Sequence, residues 1–266
     1  MPDKPITSPA NPRVKQLLAL RKRRTRDAEG VTVVEGREEI WLALRAGVIP
    51  RSVYVCPDLA QGDTDPDLAE LVGATAGEIV TLGRAAFEKA SYRQSPDGFL
   101  AVVPSPGRRL DQLALGPRPL VLVGEGVEKP GNLGAMVRTA EAAGLDAVVA
   151  ASPVADWGNP NLIRASKGTV FAIPVAAAPA DTVADWLADQ GIGIVVATPE
   201  TDVLVTDLDL TGPIAVVVGA EHEGVSGLWL ERPHLAARLP MFGRVNSLNV
   251  ATSAAIVIYE AVRQRA

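Results

Sequence analysis

Three glycine- and polar-rich segments hold the residues whose types and spacing could do chemistry. The first runs Gly124-Glu125-Gly126-Val127-Glu128-Lys129-Pro130-Gly131-Asn132-Leu133-Gly134-Ala135-Met136-Val137-Arg138-Thr139-Ala140. The second is Gly219-Ala220-Glu221-His222-Glu223-Gly224-Val225-Ser226, and the third is Pro240-Met241-Phe242-Gly243-Arg244-Val245-Asn246-Ser247-Leu248-Asn249-Val250. Each follows an apolar run that reads as a strand, and open α/β sheets bind ligands just beyond their strand ends. The polar candidates are Asn132, Arg138, Glu221, Ser247 and Asn249. Taken singly, each also has an ordinary structural use. Asn132 suits a helix N-cap, which can hold a phosphate at the same time. Arg138 suits a surface ion pair with Glu141 or Glu125. Glu221 suits the capping of loop amides, and Ser247 and Asn249 suit the start of the last helix.

The familiar motifs fail at specific positions. A dinucleotide fingerprint from Gly124 meets Lys129 where its third glycine belongs, and a P-loop from Gly126 meets Asn132 where its lysine belongs. A zinc-protease reading of His222-Glu223 meets Ser226 in place of the second histidine. His234 is the other histidine, so histidine general-base and Ser-His-Asp chemistry have little material. Cys56 is alone, which excludes an internal disulfide and a cysteine-rich zinc site, and no metal is expected.

These segments need elements to position them. The second half opens on Leu120-Val121-Leu122-Val123, a buried parallel type of strand. A helix over Leu133–Ala143 follows, then a strand over Ala147–Ala151, a helix near Pro160–Lys167 and a strand over Val170–Ile173. A helix over Thr182–Asp189 leads to strands over Ile192–Ala197, Ile214–Val218 and Ala237–Met241, and a closing helix runs Leu248–Arg263. Alternating strands and helices predict a parallel sheet covered on both faces. The first half reads as a smaller α/β unit. Its strands are Val31–Val34, Ser52–Cys56, Glu78–Leu82 and Phe99–Val103, and its helices Arg37–Ala46, Asp67–Thr75 and Arg84–Ala90. Pro104-Ser105-Pro106-Gly107 and Gly116-Pro117-Arg118-Pro119 mark a linker. The expected division is an arm at 1–30, a small domain at 31–104, a linker at 105–118 and a larger domain at 119–266.

Composition narrows the classes. With 266 residues, 47% apolar and 21% charged, the chain has ample material for a core and is not disordered. No apolar run approaches the roughly 20 residues of a membrane helix. Met1-Pro2-Asp3-Lys4-Pro5 has no apolar core behind it, so no secretory leader is expected and a cytoplasmic protein is. Charge is uneven. The chain carries −5, yet residues 1–26 hold eight basic residues against Asp3, which is +7 and leaves −12 for the remainder. Such an arm suits either a solvated leader or a local polyanion contact through Arg13, Lys15, Arg21, Lys22, Arg23, Arg24 and Arg26.

Together, in this order and with this spacing, the three segments resemble motifs 1 to 3 of the SpoU/TrmH family of RNA ribose 2′-O-methyltransferases, within the SPOUT superfamily. The matching cores are Asn132-x-Gly134-x-x-x-Arg138-Thr139, Gly219-x-Glu221-x-x-Gly224, and Pro240-Met241-x-Gly243-x-x-x-Ser247-Leu248-Asn249-Val250. Val225-Ser226 stands where Leu-Ser is common in the family. The resemblance implies a C-terminal parallel-sheet domain with a deep trefoil knot and a small L30-like α/β domain before it. It implies S-adenosylmethionine as cofactor, a homodimer, and ribosomal RNA as substrate, 23S first. Transfer RNA and a non-catalytic knotted RNA-binding scaffold are the alternatives. A nicotinamide oxidoreductase would also suit the α/β pattern, but its fingerprint is missing. By resemblance Arg138, Asn132, Glu221, Ser247 and Asn249 form the polar site. Gly219, Leu239, Leu248, Gly243, Met241 and Thr198 fall at cofactor positions, with Gly243 read as the place of close chain approach. The basic arm then reads as an RNA contact.

Overall fold

The computed structural model describes residues 4–60, 72–73, 77–220, 223–232, 234–245 and 247–266. The chain divides into two units: residues 1–106 with 157–172, and residues 107–156 with 173–266.

The first unit begins with two helices where the charge pattern alone suggested an arm. Helix α1 (Pro12–Ala19) starts at Asn11, whose side chain accepts from the Arg13 amide at 2.9 Å, with Pro12 in the first turn. Its residues Val14 and Leu17, and Leu20 just beyond, are buried in the core of this unit. Helix α2 (Arg23–Glu29) ends at Gly30, whose φ of 63° is left-handed. Strand β1 (Val31–Glu35), helix α3 (Arg37–Arg45), strands β2 (Ser52–Val55) and β3 (Ile79–Thr81), helix α4 (Arg84–Ala90) and strand β4 (Phe99–Pro104) complete it. The sheet order is β1-β4-β2-β3, with β4 antiparallel to both neighbours and β3 parallel to β2. The helix expected over Asp67–Thr75 falls almost wholly outside the described residues.

The second unit carries strand β5 (Leu120–Glu125), helix α5 (Pro130–Ala142) and strand β6 (Ala147–Ala151). After β6 the chain passes through helix α6 (Pro160–Ala165), which packs on β1 and so belongs to the first unit. Strand β7 (Val175–Ala178), helix α7 (Ala180–Asp189), strands β8 (Gly193–Ala197) and β9 (Ile214–Val218), helix α8 (Gly227–Leu230), strand β10 (Leu235–Ala237) and helix α9 (Val250–Arg265) follow. All six strands are parallel, in the order β10-β8-β9-β5-β6-β7. Val121, Val123, Val149, Val196 and Val217 share one buried cluster with Val183 and Leu187 of α7 and with Trp229. The alternate residues Leu122, Val148, Val195 and Val216 are equally buried. A sheet buried on both faces explains the near-continuous apolar runs.

Three boundaries differ from the sequence reading. The apolar run at Val170–Ile173 is not a strand. Thr169–Phe171 forms a 3-10 turn entered through Gly168 at φ 82°, and the strand lies beyond Pro174. A four-residue apolar run has too little periodicity to separate the two states. The third-segment strand is Leu235–Ala237 rather than Ala237–Met241. Residues 157–172 join the first unit, where the Thr32 hydroxyl donates to the Gly158 carbonyl at 2.5 Å and Lys167 pairs with Glu38 at 3.0 Å. A linker read from Pro and Gly signals cannot reveal a segment that crosses back by packing.

Candidate active site

Because the sheet is parallel, β5, β8, β9 and β10 all end at the same edge, and their loops gather there. Asn132 is not an N-cap: Lys129 holds that position and Pro130 begins α5, so Asn132 lies in the first turn. Its Oδ1 accepts from Nδ2 of Asn249 at 3.2 Å. Asn249 is the N-cap of α9, and its Oδ1 accepts from the Ala251 amide at 3.0 Å. Both halves of the Asn249 amide are therefore used, one to start a helix and one to tie it to another.

The structure separates the other candidates. Arg138 lies six residues after Asn132, about 240° round the helix and roughly 9 Å along it. It is exposed. Glu125, one suggested partner for Arg138, is engaged elsewhere. It is buried, and both its oxygens accept from Ser226, from the backbone amide and from the hydroxyl, each at 2.7 Å. Sequence reasoning missed this pair. The available signal was an acidic residue closing a wholly buried apolar strand. Glu221 lies outside the described residues.

Thr198, Leu239, Met241, Ser247 and Leu248 line a cavity of about 380 Å³, within the size range of small-molecule sites. A neighbouring cavity of about 280 Å³ shares Thr198, Ser247 and Leu248 and adds Gly219 and Glu223. A third, of about 310 Å³, is lined by Gly126, Lys129, Asn132, Ala220, Glu223 and Val250. Ala220, Glu223 and Val250 are common to the last two, so the asparagine side adjoins the Gly219 side. Gly219 must be glycine, because a Cβ there would collide with the Gly224 carbonyl. Gly243 does not play that part: a Cβ on it meets nothing, and it lines none of these cavities.

The basic set of the first thirty residues is largely committed to the fold of its own unit. Arg26 is 2% exposed and donates to the carbonyls of Leu20 and Arg21 at 3.1 and 2.9 Å. Arg21 donates to the Ser91 carbonyl at 2.7 Å and stacks 4.8 Å over the Tyr92 ring. Arg13 forks onto Glu78 at 2.5 and 2.7 Å, which holds the Glu78 carboxyl below the usual carboxylate range. Arg23 pairs with Asp27 at 3.5 Å. Lys15, Lys22 and Arg24 are exposed.

Among the described residues no helix is long and apolar enough to cross a membrane.

Comparison with known proteins places this geometry. The model of the SpoU rRNA Methylase family matches residues 119–259, and that of the MRM3-like substrate binding domain matches residues 11–101. The chain is 30% identical over 256 residues to the 23S rRNA (guanosine(2553)-2′-O)-methyltransferase RlmP of Bacillus subtilis (strain 168), covering 96% of this chain and 98% of that one. A crystal structure of an RNA 2′-O ribose methyltransferase superposes with a TM-score of 0.85 at 39% identity, over 98% of this chain and 99% of that one. The SpoU methyltransferase AviRb from Streptomyces viridochromogenes, in complex with the cofactor AdoMet, superposes with a TM-score of 0.86 at 28% identity, over 96% and 99%.

Proposed function

The chain belongs to the SpoU rRNA Methylase family, and on that footing we propose that it methylates a ribose 2′-oxygen in ribosomal RNA, 23S being the expected molecule. S-adenosylmethionine is the expected methyl donor. The observation that carries this reading is the near end-to-end likeness to the B. subtilis 23S enzyme, whose length the chain covers to 98%. The local support is the Asn132–Asn249 pair beside the cavities at the strand ends.

The residues fit such a cofactor. Leu239, Met241 and Leu248 offer apolar walls for an adenine, and Gly219 offers bare backbone. Glu200, Asp202 and Glu223 supply acidic groups on the rim, suited to ribose hydroxyls and to a cationic ligand. When bound, the cofactor supplies a methyl on a sulfonium that departs as a neutral thioether.

This chain's residues then hold the nucleophile in line and manage its proton. Asn132 and Asn249 orient the ribose. Arg138 holds the target phosphate or the developing alkoxide through its guanidinium. It acts as a donor and not as a base, since a guanidinium presents N–H donors and no acceptor. The hydroxyl proton passes to water or to a neighbouring phosphate. Glu221 fixes Arg138 or the RNA backbone, and Ser247 lines the cofactor cavity.

Arg138 stands outside the asparagine pair, which accords with a site completed by a second copy of the chain. Phe242 is 96% exposed, and Ile256 and Tyr259 show apolar surface on α9. A homodimer would cover them. The family's deep knot belongs to this reading, as does a cytoplasmic setting where ribosomes are made. The first domain, 31–104, would select an unpaired RNA loop.

The test is transfer of labelled methyl from S-adenosylmethionine to separated unmodified rRNA and tRNA, with Arg138→Ala and Arg138→Lys as variants. The product is mapped by resistance to alkaline cleavage. We expect label at one position of 23S rRNA and about 10²-fold slower turnover for either variant. Label in tRNA alone would reassign the substrate. Near-normal turnover of Arg138→Lys would remove the guanidinium role.

A further inference from the structure

We propose that Glu125 is a positioning residue for the methyl transfer, acting through Ser226 on the loop that separates the cofactor side from the nucleotide side. The proposal rests on the functional reading above and extends it to a residue outside the site residues named there.

Glu125 closes β5 and is 8% exposed. A carboxylate so placed is costly unless its oxygens are hydrogen-bonded. A single residue satisfies both. The Ser226 amide donates to Oε2 and the Ser226 hydroxyl to Oε1, 101 positions away in sequence. Ser226 itself is exposed, so the fork pins a surface loop to a buried anchor.

The loop is thereby tied at both ends to one strand. Its start leaves β9 at Val218, which pairs with Gly124. Its end, Ser226, is held by the next residue, Glu125. Between them Gly224 donates its amide to the Ala220 carbonyl at 3.0 Å, and Gly219 lies pressed beneath Gly224. The stretch so fixed contributes Gly219, Gly224 and Val225 to the cofactor side. Ala220 and Glu223 face both cavities. Gly126, left-handed at φ 61°, turns the first segment away immediately after Glu125, and a Cβ on it would sit 3.7 Å from that of Ala220. One carboxylate thus sets the spacing between the first and second motif segments. Charge-assisted hydrogen bonds suit this role, being short and directional.

The test uses the full chain with Glu125→Gln, Ser226→Ala, the double variant and Ser226→Thr. Cofactor affinity is measured by calorimetry, and loop 219–226 by amide hydrogen exchange. Methyl transfer is resolved into kcat and KM for each substrate. In Glu125→Gln the charge is lost and the Ser226 hydroxyl must turn to accept from the new NH₂, so both bonds weaken and cofactor affinity or kcat should fall about tenfold. Exchange at Gly224 and Ser226 should rise, while the remainder of β5 stays protected. Ser226→Ala loses one of the two bonds and should lose less, and Ser226→Thr keeps the hydroxyl and should approach the parent. The double variant should resemble Glu125→Gln alone, because both residues act as one unit.

Parent-like cofactor affinity and kcat in Glu125→Gln would overturn the proposal. So would strictly additive losses in the double variant, or equal losses of protection throughout the fold. Absence of methyl transfer by the parent chain would instead strike the functional reading. Even then, the loop exchange and the cofactor affinity still decide for or against the clamp.

Discussion

The amide nitrogen of Asn249 reaches the amide oxygen of Asn132 at 3.2 Å, joining the first turn of α5 to the first residue before α9 across 117 positions of sequence. The same Asn249 caps α9 through its oxygen. Its two roles separate cleanly by substitution. Asn249→Asp keeps the capping oxygen and removes the donor, so the melting temperature should hold to within about 2 °C while methyl transfer drops at least about tenfold. Asn249→Ala should lose activity and also about 1 kcal/mol of stability. An aspartate variant with full activity would mean that the contact with Asn132 has no part in the reaction.

Glycine is required at one motif position and not at another. Gly219→Ala drives a Cβ into the Gly224 carbonyl and should displace the loop, weakening cofactor binding by at least about tenfold in a titration. Gly243→Ala places its Cβ in open space and should bind cofactor as the parent does. The reverse order of effects would restore Gly243 as the position of close approach.

The first thirty residues should behave as structure before they behave as an RNA arm. Arg26→Met leaves the Leu20 and Arg21 carbonyls without their buried donor and should cost about 2 kcal/mol in urea denaturation. Lys22→Ala with Arg24→Ala touches exposed side chains and should leave stability near the parent. That pair should instead lower the salt dependence of RNA binding by up to about two counterions. Removing residues 1–26 takes away Val14, Leu17 and Leu20 from the core, so the first unit should unfold. A truncated chain that melts like the parent would contradict this.

Alkaline stability should depend on Tyr92. Burial pushes its phenol up to about 12, against the opposing charges of Arg21 and Arg26. The unfolded chain ionises near 10. The folded state therefore holds the proton more tightly, and this contribution is whole below pH 10 and lost as the pH rises through 12. Between pH 9 and 11.5 the urea midpoint of the parent should fall more steeply than that of Tyr92→Phe. Parallel curves for the two proteins would show that the buried phenol does not control the loss.

Much of the fold was legible because its signals are local. Leu120–Val123 read as a buried parallel strand and Ile214–Val218 as a strand, and each residue of both runs is covered, whichever way it points. The candidate site residues were picked out as a set by type and spacing, through motifs 1 to 3. The same spacing misjudged individual parts. Asn132 suited a cap by type, but Pro130 starts the helix two residues earlier. The arm was weighed by its charges, while Val14, Leu17 and Leu20 carried the helical signal.

The amino-acid order by itself determined the alternation of elements, the glycine turns, and which polar residues stand at the strand ends. Those features depend on neighbours within a few positions. Only the tertiary structure decided which distant segments meet. The strand order β10-β8-β9-β5-β6-β7 put the loops that follow β5, β8, β9 and β10 at one edge. It set Ser226 on Glu125, brought Asn249 to Asn132 and left Arg138 facing outward. The physical reason is that pairing across such distances is chosen by the mutual burial of whole faces and by the satisfaction of buried polar groups. Neither quantity exists until the chain has closed on itself.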